Sequence, residues 1–184
     1  MSPAKTALYF PYMLQLSNAI LNRPVMSLRT GTQIALATSP IINPNNLKIE
    51  GFYCQDSDNR GKELILVAQD VRDIIAQGIV VNDYDVLVEP QDLVRMRDLL
   101  NWRFSLIGKQ VVSDNKKKIG KIEDYATELE SLYIQKLYVS QSIFKNFSGG
   151  NLGVDRSQIV EINEKQIVIH DPLQKIPANA NAIA

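Results

Sequence analysis

Residues 107–124 of this chain, IGKQVVSDNKKKIGKIED, constrain its fold more than any other stretch. Val111, Ile119 and Ile122 stand on either side of a polar, lysine-rich tip, and Gly108 and Gly120 mark places where a backbone bends or is approached closely. This is the pattern of a tight β-hairpin. A blurred copy of it stands near the start of the chain. Residues 21–27 (LNRPVMS) lie against 107–113 (IGKQVVS) at a separation of 107 − 21 = 86. Ile34 lies against Ile119, and LKIEGFYCQ from Leu47 against LYIQKLYVS from Leu132, both 132 − 47 = 85 apart. DVRDIIAQGIVVND from Asp70 matches QIVEINEKQIVIHD from Gln158 at 158 − 70 = 88. A register that holds this steadily over about 70 residues indicates a tandem repeat of two small β units.

The remaining chain fits around those copies. Strand patterning begins at Leu14, with Arg29-Thr30-Gly31 as a turn, and PIINPNN over 40–46 reads as a loop. Residues 47–55 and the ELILVAQ run read as strands, and VRDIIAQGIVVND as two short strands around Gly78. Between the copies, Pro90 suits a first helical position, and Leu93, Met96 and Leu100 repeat at helical spacing with Val94 and Leu99 widening the stripe. One amphipathic helix of about three turns is expected there. The organisation expected is an N-terminal arm over 1–12, a divergent first copy over 13–89, a linker helix over 90–101, a second copy over 102–172 and a loose tail over 173–184. In the arm, Tyr9, Phe10 and Tyr12 either pack on the body or serve self-association.

Charge and cysteine content narrow the function classes. Lys+Arg 20 against Asp+Glu 20 argues against a protein that coats nucleic acid or an anionic membrane. A single cysteine forms no internal disulfide, and with a single histidine it is poor material for zinc. No apolar run approaches the ~18 residues of a membrane span, and the first residues lack the apolar core of a secretory signal. A cytoplasmic protein without membrane insertion is the expectation.

The order Ile-Gly-Lys, Val-Val-Ser, polar turn, Ile-Gly-Lys-Ile-x-Asp over 107–124 resembles the PRC-barrel family. That family includes the cytoplasmic domain of the photosynthetic reaction centre H subunit and the C-terminal domain of the ribosome maturation factor RimM. The resemblance covers 98–171 well. Over 14–83 it is weaker, with Asn22 in the place of Gly108, Ala35 in that of Gly120 and Ser39 in that of Asp124. The resemblance implies a mainly β chain of two tandem small antiparallel β-barrels joined by one amphipathic helix, acting as a binding or scaffolding module. It carries no catalytic residues with it.

Candidates for chemistry are few. His170, in QIVIHDP, aligns with Asn82 and suits an outward strand position better than a base or metal ligand. Cys54 aligns with Val139 and suits a core position better than a nucleophile. Asp83, Asp85 and Glu89 lack calcium-loop spacing and suit turns and a helix start. SGGNLG over 148–153 lacks the order of a phosphate loop and reads as an insertion between strands. Trp102 aligns with Leu16 and reads as a packed anchor. Lys116, Lys117, Lys118 and Lys121 are the one basic concentration. They serve either as a solvated turn that discourages edge pairing or as a phosphate or RNA contact with Arg103 and Lys109 as neighbours. No catalytic residue, metal or cofactor is assigned. The function expected is a non-enzymatic adaptor that binds another protein through a barrel surface or strand edge, with self-association open to it. The alternative is an RNA- or ribosome-associated assembly factor similar to RimM, and an enzyme or small-ligand site between barrels ranks third.

Overall fold

The computed structural model describes residues 14–141 and 151–171. The aromatic arm, the first three residues of SGGNLG and the tail after Asp171 lie outside the described residues. The chain is mainly β. Its strands are β1 (Leu14–Leu16), β2 (Arg23–Ser27), β3 (Gln33–Asn43), β4 (Lys48–Asp56), β5 (Glu63–Val67), β6 (Val71–Ile75), β7 (Gly78–Val81) and β8 (Leu87–Val88). After the helix α1 (Arg97–Trp102) come β9 (Gln110–Ser113), β10 (Lys118–Glu128), β11 (Tyr133–Gln141), β12 (Leu152–Asp155), β13 (Ile159–Ile162) and β14 (Gln166–Ile169). The described residues divide into two compact units. The first comprises those up to Arg103 with Ala126–Gln135, and the second Phe104–Tyr125 with those from Lys136 on.

In the first unit the strands pair in the order β6-β7-β2-β3-β4-β5, with β8 added to the edge of β5. The second has β13-β14-β9-β10-β11-β12. The two orders are the same. In each, the last strand lies parallel to the first: Val25 faces Ile79 in β2–β7, and Val111 faces Ile167 in β9–β14. These four residues are fully buried, as the repeated apolar positions require. Among the described residues no ladder joins β5 to β6 or β12 to β13, so each run is open. The closed barrels expected from the sequence are not formed by main-chain pairing. Each step from the fourth strand to the fifth is instead a single 3-10 turn, at Ala68–Asp70 and at Arg156–Gln158. Three residues there are enough to redirect the chain before pairing resumes.

Two local expectations are revised. The 40–46 loop is shorter, because β3 continues to Asn43, with Pro40 opposite Phe52 and Ile42 opposite Ile49. Register shifts on both sides of Pro40 let the strand carry a residue without an amide hydrogen. The three-turn helix is also broken up. Residues 90–92 and 94–96 form separate 3-10 turns, and Leu93 between them sits at φ −93°, ψ 67°, outside helical space. Only Arg97–Trp102 is α-helical, and no side chain caps its start. The apolar stripe is nonetheless used. Leu100 joins Ile41, Tyr53 and Ile65 in a buried cluster, with Leu93, Met96 and Leu99 against it. Val94 stays out at 65% exposure and Trp102 is 41% exposed, while Leu100 is the buried side chain of the helix. The helix ends on Arg103, whose left-handed backbone (φ 45°) returns its amide to the Leu99 carbonyl at 3.2 Å.

Within the first unit, the tip joining β3 to β4 meets the tip joining β10 to β11. The Ile49 amide donates to the Leu132 carbonyl and the Ile134 amide to the Leu47 carbonyl, both at 2.9 Å. Leu47 and Leu132 both have positive φ, 56° and 59°, which is uncommon for leucine and costs about 1–2 kcal/mol each. Burial of both side chains offsets that cost.

Glycine is required at two kinds of place. At Gly120 a Cβ would stand 1.5 Å from the Ser140 carbonyl oxygen, so only hydrogen fits. Gly108 has open space but φ 81°, and its counterpart Asn22, at φ 53°, is one of the few side chains that tolerate that region. Gly120→Ala should therefore cost about 3 kcal/mol or more in chemical denaturation, and Gly108→Ala about 1 kcal/mol.

Among the described residues Tyr125 is the largest fully buried side chain, and its hydroxyl has no hydrogen-bond partner among them. Burial pushes its pKa up, with the Asp124 charge adding to the effect. A buried hydroxyl without a partner costs about 1–3 kcal/mol, so Tyr125→Phe should raise the denaturation midpoint. A loss of stability of 1 kcal/mol or more would show that the hydroxyl is satisfied in solution.

Candidate functional site

Polar groups in both units gather where the parallel last strand meets the turn of the first hairpin. In the first unit Asp83, just after β7, is nearly buried and accepts a hydrogen bond from Ser27 Oγ at 3.0 Å. Arg29, on the β2–β3 turn, pairs with its other oxygen. The backbone amide of Tyr84 beside Asp83, the Ser27 hydroxyl and the Arg29 charge hold this carboxyl below the usual range. Asp56, at the end of β4, is buried and accepts the Tyr84 hydroxyl at 2.6 Å and the Asp58 amide at 2.9 Å. The Tyr84 bond is the largest cause of its lowered pKa, and the same bond raises that of the tyrosine. Beside them Lys62 pairs with Glu89 at 2.7 Å, and Gln91 donates to the same carboxylate.

The second unit repeats the arrangement with different residues. Asp171, just after β14, is buried, and Asn115 donates to its Oδ2 at 3.3 Å. Lys117 Nζ stands 3.6 Å from the same oxygen. Ser113, the counterpart of Ser27, accepts the Lys117 amide on its Oγ at 3.2 Å. A serine at the end of the first strand, an acid after the last strand and a cation on the first turn thus recur in both copies.

The lysine-rich tip is accordingly not uniform. Lys117 is drawn to Asp171, while Lys116 takes the left-handed corner of the turn at φ 62°. Lys118 opens β10 opposite Val112, and Lys121 lies opposite Gln110; both are exposed. The two suggested neighbours are engaged elsewhere. Arg103 is paired with Glu63 at 2.6 Å and lies over the Tyr53 ring at 4.8 Å. Lys109 donates to the Glu164 carbonyl at 2.6 Å and lies over the Phe104 ring, with burial lowering its pKa.

The other candidates take structural places. Cys54 is buried, and burial pushes its thiol up to about 12, so it is protonated and unreactive at neutral pH. His170 lies one residue beyond β14, exposed, with Nδ1 3.2 Å from Asp114 Oδ2. Asp85 lies in a 3-10 turn, Tyr84–Val86. Leu152 and Gly153 of the glycine-rich stretch belong to β12 and pair with Val139 and Tyr138. Among the described residues no group of three or more His, Cys, Asp or Glu is placed to hold a metal ion, and no helix is long and apolar enough to cross a membrane.

What the sequence did carry, unread, is the coupling of turn cation to buried acid. Ser27/Ser113 and Asp83/Asp171 stand at separations of 86 and 88, the same as the strands around them. Asp56 and Tyr84 have no such counterpart, since Gln141 and Pro172 fall at the matching separations of 85 and 88.

No protein-family profile matches this chain, and no curated protein matches it significantly.

Asp56 and Asp83 both have folded-state pKa values below their unfolded ones, so the unfolded chain binds more protons in acid. Their contribution is complete above the unfolded pKa of about 3.9 and is lost as pH falls through the lower folded values. Tyr84→Phe removes the main cause at Asp56. Acid unfolding, followed by circular dichroism, should then begin at a higher pH than in the wild type, with stability at neutral pH also reduced.

Proposed function

We propose that this protein is a non-enzymatic, PRC-barrel-like adaptor that binds another protein through a module surface or an open strand edge. The observation that carries the reading is the open pairing order. β6 and β13 end their runs and pair on one side only among the described residues, which leaves main-chain donors and acceptors for an added strand. The family resemblance of 107–124 supports a scaffolding role, and a cytoplasmic setting goes with it. The buried polar groups support it too, because Asp56, Asp83 and Asp171 are spent on holding turns.

One observation favours the RNA- or ribosome-associated alternative. Lys116, Lys118 and Lys121 are exposed on a single hairpin. Against it stand the equal numbers of acidic and basic residues and the absence of aromatic side chains between those lysines.

Affinity capture from the native host, followed by reconstitution with the purified candidate, separates the two. The adaptor reading expects a saturable complex that changes by less than about twofold in a Lys116/Lys118/Lys121→Ala variant and is insensitive to salt. Binding to RNA that weakens steeply with salt and is lost in that variant would overturn it.

A further inference from the structure

In the first repeat the outer strand of the run is itself covered. β8 lies antiparallel on β5, with Leu87 opposite Leu66 and Val88 opposite Ile65, and the Leu87 side chain is buried. Two polar ties hold it there. The Tyr84 hydroxyl donates to Asp56 at 2.6 Å before it, and Glu89 pairs with Lys62 at 2.7 Å after it.

β12 holds the place of β5 in the second repeat. Leu66 pairs with Phe52 and Ile65 with Tyr53, as Val154 pairs with Leu137 and Gly153 with Tyr138. The separations are 137 − 52 = 85 for one strand and 154 − 66 = 88 for the other, those of the repeat itself. Val154 is fully buried, as Leu66 is. Yet β12 pairs with β11 alone among the described residues, so its outer main-chain groups are open to an added strand. The chain's own continuation is a poor copy of β8. At the separation of 88 it has Lys175 for the buried Leu87 and Pro172 for Tyr84, and Gln141 replaces Asp56.

One position departs from the template and sets what fits. Gly153 stands where Ile65 does, and a Cβ built there meets only the Lys136 side chain, at 3.6 Å. Tyr138, opposite it on β11, is half-buried. An aromatic side chain across from Gly153 has room to lie over the bare main chain beside the Tyr138 ring.

We infer that the free edge of β12 takes an extended segment of a partner protein, antiparallel as β8 is on β5, with an aliphatic side chain against Val154 and an aromatic one over Gly153. The inference rests on the protein-binding reading above and names its surface and the side-chain pattern of its partner.

The probe is a fluorescein-labelled peptide, Tyr-Asp-Val-Leu-Phe-Glu-Pro, titrated with the full chain by fluorescence anisotropy. It is the sequence of residues 84–90 with phenylalanine in the place of Val88. Saturable binding is expected, with amide exchange slowed over residues 152–155 and unchanged over 63–67. Lysine in the place of the leucine should weaken binding about tenfold or more, and valine in the place of the phenylalanine about threefold. Gly153→Val, which has space for its side chain, should erase the second difference and keep the first. Absence of binding, binding indifferent to the lysine peptide, a phenylalanine preference that survives Gly153→Val, or protection over 63–67 in place of 152–155 overturns the inference. So does a concentration-dependent dimer that excludes the peptide. A chain cut after Asp171 whose 152–155 amides exchange faster, while its other strands exchange as before, would give the edge to residues 172–184 and overturn it too. A reconstituted partner complex that an excess of the peptide leaves intact would keep the adaptor reading standing and remove only this surface.

Discussion

In each repeat the last strand returns to lie parallel beside the first, and much of the rest follows from that pairing. Parallel neighbours need a long connection, and here it is made of four further strands and one 3-10 turn. The buried faces of Val25 and Ile79, and of Val111 and Ile167, fix the register, since a slip of one residue would turn both apolar sets outward. The same return carries the second residue after the last strand onto the turn of the first hairpin. A carboxylate arrives there in both copies. It is nearly buried, so it must be hydrogen-bonded and faced by a cation. Serine, asparagine, arginine and lysine on the turn meet that need in two different combinations.

The chemistry of the polar residues reads differently once this geometry is in view. Lysines 116–118 look like one patch in the sequence, but their backbones and partners give them separate tasks. One turns a corner, one faces a buried acid and one begins a strand. Asp83, Asp85 and Glu89 likewise look like a cluster, yet Asp83 serves the β2–β3 turn and Glu89 pairs with Lys62. Proximity in sequence is a poor guide to shared chemistry where strands are short and turns are tight.

How far the fold was legible depended on whether the deciding contact was periodic. The duplication showed because strand cores repeat: Val25 with Val111, Ile49 with Ile134, Ile79 with Ile167. Leu93, Met96 and Leu100 keep helical spacing although the backbone at Leu93 leaves helical space, because an apolar stripe packs from consecutive 3-10 turns as well. Prolines and asparagines over 40–46 mark a turn in the sequence, yet Pro40 is tolerated in β3 where register shifts flank it. The family pattern that implies closed barrels consists of residues that fix hairpins and say nothing about pairing between β5 and β6.

The reciprocal bonds between the tips at Leu47 and Leu132 have an implication for how such a molecule is put together. Each tip offers the other one carbonyl and one amide in the same geometry, so neither is specialised as donor or acceptor. Two separate polypeptides bearing one repeat apiece could make the same exchange. Placing both on one covalent thread turns that encounter into ring closure, whose entropic cost depends on the connecting segment and no longer on dilution.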